Sequence, residues 1–125
     1  MGKKILVVDD SAVLRASVKF TLTAAGFEVI EAHHGKHALE ILKQMTLANE
    51  RPEMILSDVN MPVMDGITFI KQVKQTSSKY IPILVLTTES QESKKNEGKA
   101  AGASGWLVKP FKEDQLISVV RKFVR

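Results

Sequence analysis

The chain has 125 residues, 44% hydrophobic and 26% charged, with a formal charge of +4 and no cysteine. That length and balance describe one soluble globular domain, while the missing cysteines exclude a disulfide frame and any thiolate metal site. The lysines and arginines are scattered without aromatic interleaving, finger spacing or a helix-turn-helix signature, so the charge reads as a mildly basic solvated surface and no nucleic-acid interface is expected.

The chain opens MGKKILVVDD. Its apolar run ends in two acids and is too short for a signal peptide, and Leu6 stands where an N-myristoylation signal needs Ser or Thr. No segment approaches membrane-spanning length, so the expected location is the cytoplasm with no membrane contact. The first run, ILVV at 5–8, is followed by a segment of helical period. Ser11 can cap it, Leu14, Val18, Leu22 and Ala25 share one face, and Gly26 can end it. EVIEA at 28–32, MILS at 54–57, ILVL at 83–86 and WLV at 106–108 read as further strands, each followed by a helical segment. The fourth helix, SQESKKNEGKAAG at 90–102, is the weakest. It has almost no apolar face, Gly98 costs about 1 kcal/mol relative to alanine, and mobility is expected of it. The last helix, about 112–124, turns Leu116, Ile117, Val120 and Val124 inward. Five strands alternating with five helices predict an α/β fold, a doubly wound five-stranded parallel sheet with helices on both faces. Runs apolar on both faces suit strands buried inside such a sandwich. No repeat, low-complexity tract or linker interrupts it, so residues 1–125 read as a single domain.

In open sheets of this kind ligands bind beyond the carboxyl ends of the strands. The residues that follow the runs are Asp9 and Asp10, Asp58, Thr87 and Lys109, whereas the second strand contributes nothing comparable. Singly, each has a local explanation as a helix-start acid, a cap or a solvated amine. Gathered on one edge, they call for another. Unit charges about 4 Å apart repel by roughly 4 kcal/mol at an effective dielectric near 20, so three clustered carboxylates either protonate or recruit a cation. An all-oxygen donor set suits a hard ion, magnesium over zinc, and carboxylate-held magnesium usually shares its sphere with phosphate oxygens. Asp58 then reads as the nucleophile, with Thr87 as hydrogen-bond donor and Lys109 as countercharge to a phosphoryl group.

The motifs ILVVDDS, SDVNMPVMDG, PILVLTTES and AGASGWLVKPF resemble the receiver domain of two-component response regulators, in order and spacing across nearly the whole chain. The resemblance brings with it the flavodoxin-like strand order 2-1-3-4-5 known for the chemotaxis receiver. It implies that Asp58 accepts a phosphoryl group from a phosphohistidine on a sensor histidine kinase. Asp10, Asp58 and the backbone carbonyl of Asn60 would bind Mg2+, with Asp9 acting through water, and the Lys109–Pro110 bond would be cis. Thr87 would move toward the phosphoryl group and Trp106 inward behind it, unless Trp106 is a fixed surface aromatic and Thr88 crowds its path. Asn60 and Glu89 would flank the phosphate and set how readily water attacks it. Such a protein assists its own phosphorylation and dephosphorylation and is not a turnover enzyme. Lys94, Lys95 and Lys99 would make the output face basic, suiting an acidic partner.

LTTES, GKAAGASGW and the absence of an output domain after Arg125 resemble the stand-alone chemotaxis regulators. A monomer working between a chemotaxis kinase and another protein, such as the flagellar motor switch, is then expected. A receiver excised from a longer regulator, for example of transcription, or a degenerate docking module would read alike. A haloacid-type phosphatase would need a second acid where Asn60 stands, and GKAAGASG fits neither dinucleotide nor P-loop spacing. His33, His34 and His37 read as loop or helix-start histidines, and Met61 and Met64 as loop packing.

Overall fold

The computed structural model describes residues 2–88 and 92–124. Five strands alternate with five helices: β1 (Lys4–Val8), α1 (Ala12–Ala24), β2 (Glu28–Ala32), α2 (Gly35–Leu47), β3 (Met54–Asp58), α3 (Gly66–Val73), β4 (Ile83–Thr87), α4 (Glu92–Ala101), β5 (Gly105–Val108) and α5 (Glu113–Phe123). All neighbouring strands pair in parallel, in the order β2-β1-β3-β4-β5. Both the predicted architecture and the order carried by the resemblance are therefore present. No helix among the described residues is long and apolar enough to cross a membrane.

The period of two along a strand divides the core. Ile5 and Val7 face the layer of α1 and α5, packing with Val18, Leu22, Leu116 and Val120. Leu6 and Val8 face the opposite layer, with Ala38 and Leu42 of α2 and Phe69 and Ile70 of α3. β1, β3 and β4 are thus buried on both faces from Ile5, Met54 and Ile83 onward. β2 and β5 depart from that expectation because they form the sheet edges and stay partly exposed.

Local chemistry fixes the helix starts. Ser11 Oγ accepts from Leu14 N, and Gly26 at φ 97° ends the first crossover, as the sequence predicts. His34 caps α2 through Nδ1, which accepts from His37 N, and Asp65 caps α3 by accepting from Thr68 N. In α4, Gly98 is buried, and a Cβ there would lie 3.0 Å from the Trp106 ring. The residue that weakens the helix is also the one that admits the indole beneath it.

Two residues of the β3–α3 loop carry opposite constraints. A Cβ on Gly66 would stand 2.2 Å from the Asp58 carbonyl oxygen and 2.8 Å from Val59 Cα, both backbone atoms that cannot rotate away. Val63 sits at φ 70° in a tight turn closed by Met64 N donating to the Pro62 carbonyl, a conformation unfavourable for a β-branched residue, and its side chain is exposed. Gly66→Ala is expected to lower stability in urea unfolding by about 3 kcal/mol. Val63→Asn is expected to raise it by about 1 kcal/mol, because Asn tolerates this region and no packing is lost. Equal midpoints for both variants would mean that the loop adapts freely.

Candidate functional site

The strand order reverses between β1 and β3, and the crevice at a reversal is where open sheets bind ligands. Asp9 and Asp10 follow β1, and Asp58 ends β3 directly beside it. One carboxylate oxygen from each of Asp9, Asp10 and Asp58 can be chosen so that all lie within 4.8 Å of one another. Among the described residues, no other trio of His, Cys, Asp or Glu gathers in this way. Asp9 and Asp58 are buried while Asp10 is exposed, so the cluster opens to solvent on the Asp10 side.

Each buried acid divides its two oxygens between backbone and lysine. Asp9 Oδ1 accepts from Ser11 N at 2.8 Å, and Asp58 Oδ1 accepts from Val59 N at 2.7 Å and from Asn60 N at 3.4 Å. The Oδ2 atoms face Lys109, whose Nζ lies 3.0 Å from Asp9 and 3.5 Å from Asp58. Lys109 reaches them from beyond β5, its backbone N–H donating to the Thr87 carbonyl at the end of β4 and its bond to Pro110 cis, as predicted. Thr87 is fully buried. The residues read from the strand ends thus stand together on one edge.

Two carboxylates bridged by one ammonium, with a third beside them, remain an excess of negative charge. Burial pushes the Asp58 carboxyl above its usual value, the neighbouring Asp9 adds to this, and Lys109 and the Val59 and Asn60 N–H groups oppose it. An all-oxygen set at this spacing matches the ligands of a hard divalent cation.

The other sequence candidates lie apart from the cluster or at its rim. Asn60 is exposed at the start of the β3–α3 loop, and Thr88 is exposed after β4. Glu89 lies outside the described residues. Trp106 is partly buried and packs against the α2/α3 core layer. Its Nε1–H is buried without a hydrogen-bond partner among the described residues. Lys95 and Lys99 line a cavity of about 190 Å³ with Trp106 and Ser104 on the same face. The histidines form a local arrangement at the start of α2, His33 stacking on His37 at 4.7 Å, and Met61 and Met64 pack against the core. The sequence reading passes over Arg15, which is buried on α1 and hydrogen-bonded to the Asp9 carbonyl. Its spacing was a signal: it lies three residues before Val18 and seven before Leu22, on the inward face.

Because the folded-state value of Asp58 lies above the unfolded one, the folded protein binds this proton more tightly. Its stability is greater below the raised value and falls as pH rises through it. In metal-free buffer at neutral pH, Asp58→Asn is expected to melt about 4 °C higher than the natural sequence, for about 1 kcal/mol of relieved repulsion. Its midpoint should also vary less with pH across the acidic range. Calorimetry in EDTA checks both, and equal midpoints would mean that Lys109 already neutralises the cluster.

Residues 5–121 match the family model of the response regulator receiver domain. The fold superposes on the Vibrio cholerae chemotaxis protein CheY4 with a TM-score of 0.90 and 46% identity, over 99% of this chain and 100% of that one. It also superposes, at TM-score 0.88 and 25% identity over 98% of each chain, on the receiver domain of a Pseudomonas aeruginosa sensor histidine kinase with a magnesium ion coordinated in its active-site cleft. Response regulator MprA of Mycobacterium ulcerans is 38% identical over 125 residues, the whole of this chain and 51% of that relative. The chain therefore spans about half the length of the MprA relatives it matches. With both its sequence match and its strand order accounted for, the chain belongs to the response regulator receiver domain family.

Proposed function

We propose that this chain is a phosphoryl-accepting switch of a two-component system, formed by residues 1–125 as a single receiver domain, with Asp58 as the acceptor. The observation that carries this reading is the convergence of Asp9, Asp10 and Asp58 within 4.8 Å, with the Lys109 ammonium against the two buried acids. Backbone N–H groups occupy Asp58 Oδ1, which leaves Oδ2 as the oxygen that attacks phosphorus. As that P–O bond forms, the P–N bond of a kinase phosphohistidine breaks and its electron pair leaves with the imidazole nitrogen. Lys109, already within reach, balances the charge of the transferred group, and the Thr87 hydroxyl donates to one of its oxygens. Asp9, Asp10 and Asp58, with the Asn60 backbone carbonyl, would hold Mg2+. When bound, the ion neutralises charge on the phosphoryl oxygens. Asn60 offers no proton for general acid catalysis where a phosphatase would place an acid, so the aspartyl phosphate persists as a signal and the protein is not a turnover enzyme.

The likeness to CheY4 over the whole chain favours a chemotaxis role, in the cytoplasm, between a histidine kinase and a protein target such as the flagellar motor switch. The half-length match to MprA favours a second reading, the receiver of a longer regulator. An immunoblot of the source cells separates them: a band of about 125 residues supports the first, and one about twice that size the second.

Intact-protein mass spectrometry after incubation with acetyl phosphate and Mg2+ tests the chemistry. A phosphate-sized gain is expected, absent from Asp58→Asn and from samples with chelator. No gain in the natural sequence would reduce the chain to a docking module with the fold alone.

A further inference from the structure

We infer that Arg15 is a positioning residue for the acidic centre, holding the Asp9–Asp10 peptide so that both acids and Asp58 can share one divalent cation. The inference rests on the reading that this cluster holds Mg2+. Arg15 projects from α1 beneath the cluster, its side chain 9% exposed. Its Nη1 donates to the Asp9 backbone carbonyl, and its Nε donates to Glu31 Oε1 on β2 at 3.3 Å. The other Glu31 oxygen lies 3.7 Å from Lys19 Nζ.

The accepting carbonyl belongs to the peptide that joins Asp9 to Asp10. Fixing it fixes the plane of that peptide, and so the direction in which the chain carries Asp10 away from β1. Asp9 has further restraints of its own: its N–H donates to the Ala32 carbonyl, and its carboxylate is held by Ser11 and Lys109. The exposed Asp10 carboxylate has no hydrogen-bond or ion-pair partner among the described residues, so the backbone alone sets its place. Arg15 supplies a restraint on that backbone.

Charge runs the other way. A buried guanidinium is costly, and a cation beside a cation site opposes metal binding. The Glu31 carboxylate offsets that positive charge while leaving Nη1 free to point at the carbonyl. A planar fork can bridge a carbonyl on one strand and a carboxylate on the next, whereas a lysine point charge cannot serve both in fixed directions. The two effects therefore predict opposite signs for removing Arg15. Lost repulsion would tighten Mg2+ binding, and a lost clamp would weaken it.

The test is a titration of the full chain with MgCl2, following backbone amide NMR shifts at Asp9, Asp10 and Asp58. Arg15→Met and Arg15→Lys are expected to weaken Mg2+ affinity by about tenfold or more, as loss of a partner behind metal ligands usually does, while amides of β4 and β5 keep their native shifts. Glu31→Gln, which still offers an acceptor to Nε, is expected to stay within about threefold. Affinity unchanged or tighter in both Arg15 variants would overturn the clamp, as would an equally large loss in Glu31→Gln. If Arg15→Met does not fold, Arg15→Lys decides alone. A natural sequence whose cluster amides do not respond to Mg2+ would instead overturn the metal-site reading, and this inference with it.

Discussion

Three carboxylates share one edge of the sheet, and the arrangement around them follows from the cost of keeping them there. Two are removed from solvent, where like charges repel most strongly, and one lysine bridges both. The protein spends its backbone donors on the inner oxygens, at Ser11, Val59 and Asn60, and turns the outer oxygens toward the ammonium. That division prepares the cluster for a change in charge. A cation or a phosphoryl group arriving at the outer oxygens would meet the Lys109 countercharge there, while the inner oxygens stay anchored to the chain.

The fold makes such precision available because the acids stand at the ends of strands, not on long loops. β1 and β3 are adjacent and in fixed register, and side chains from both core layers lock them, so Asp9 and Asp58 inherit the rigidity of the sheet. Lys109 comes from two strands away and is drawn in by its N–H bond to the Thr87 carbonyl. Gly66 completes the frame by letting the first turn of α3 lie directly on the Asp58 carbonyl. With this frame behind Asp58, the acidic cluster is open to solvent on the exposed Asp10 side.

Much of this was legible in the sequence because a parallel sheet ends all its strands on the same edge. The residue after each apolar run was therefore a direct pointer, and Asp9, Asp10, Asp58, Thr87 and Lys109 stand where that rule puts them. What stayed hidden depends on contacts between elements. Gly98 looks like a defect in α4 until the Trp106 ring is placed under it, and Arg15 looks like an ordinary helical arginine until β2 brings Glu31 alongside. The same holds for the histidines, since the cap from His34 to His37 N is a matter of backbone direction that residue type alone does not disclose. The half-burial of β2 and β5 follows from strand order, which the apolar pattern cannot supply without the resemblance.

Trp106 joins the acidic edge to the surface formed by α4 and β5. It pairs in register with Val85, two residues before Thr87, and its ring edge lies against Gly98 in α4. The ring packs against α4 at Gly98, so the placement of the indole and that of the helix depend on each other. The indole also carries a buried N–H with no partner among the described residues, and a donor left unpaired in this way costs about 1–3 kcal/mol. A donor in that condition gains from any rearrangement that brings it an acceptor, which lowers the cost of leaving the present packing. α4 contributes little resistance, because its polar sequence gives it few apolar groups to bury. An acidic edge fixed by the sheet thus adjoins an outer face with few apolar groups to bury, with one aromatic ring between them, and that contrast is what a charge change at Asp58 would have to exploit.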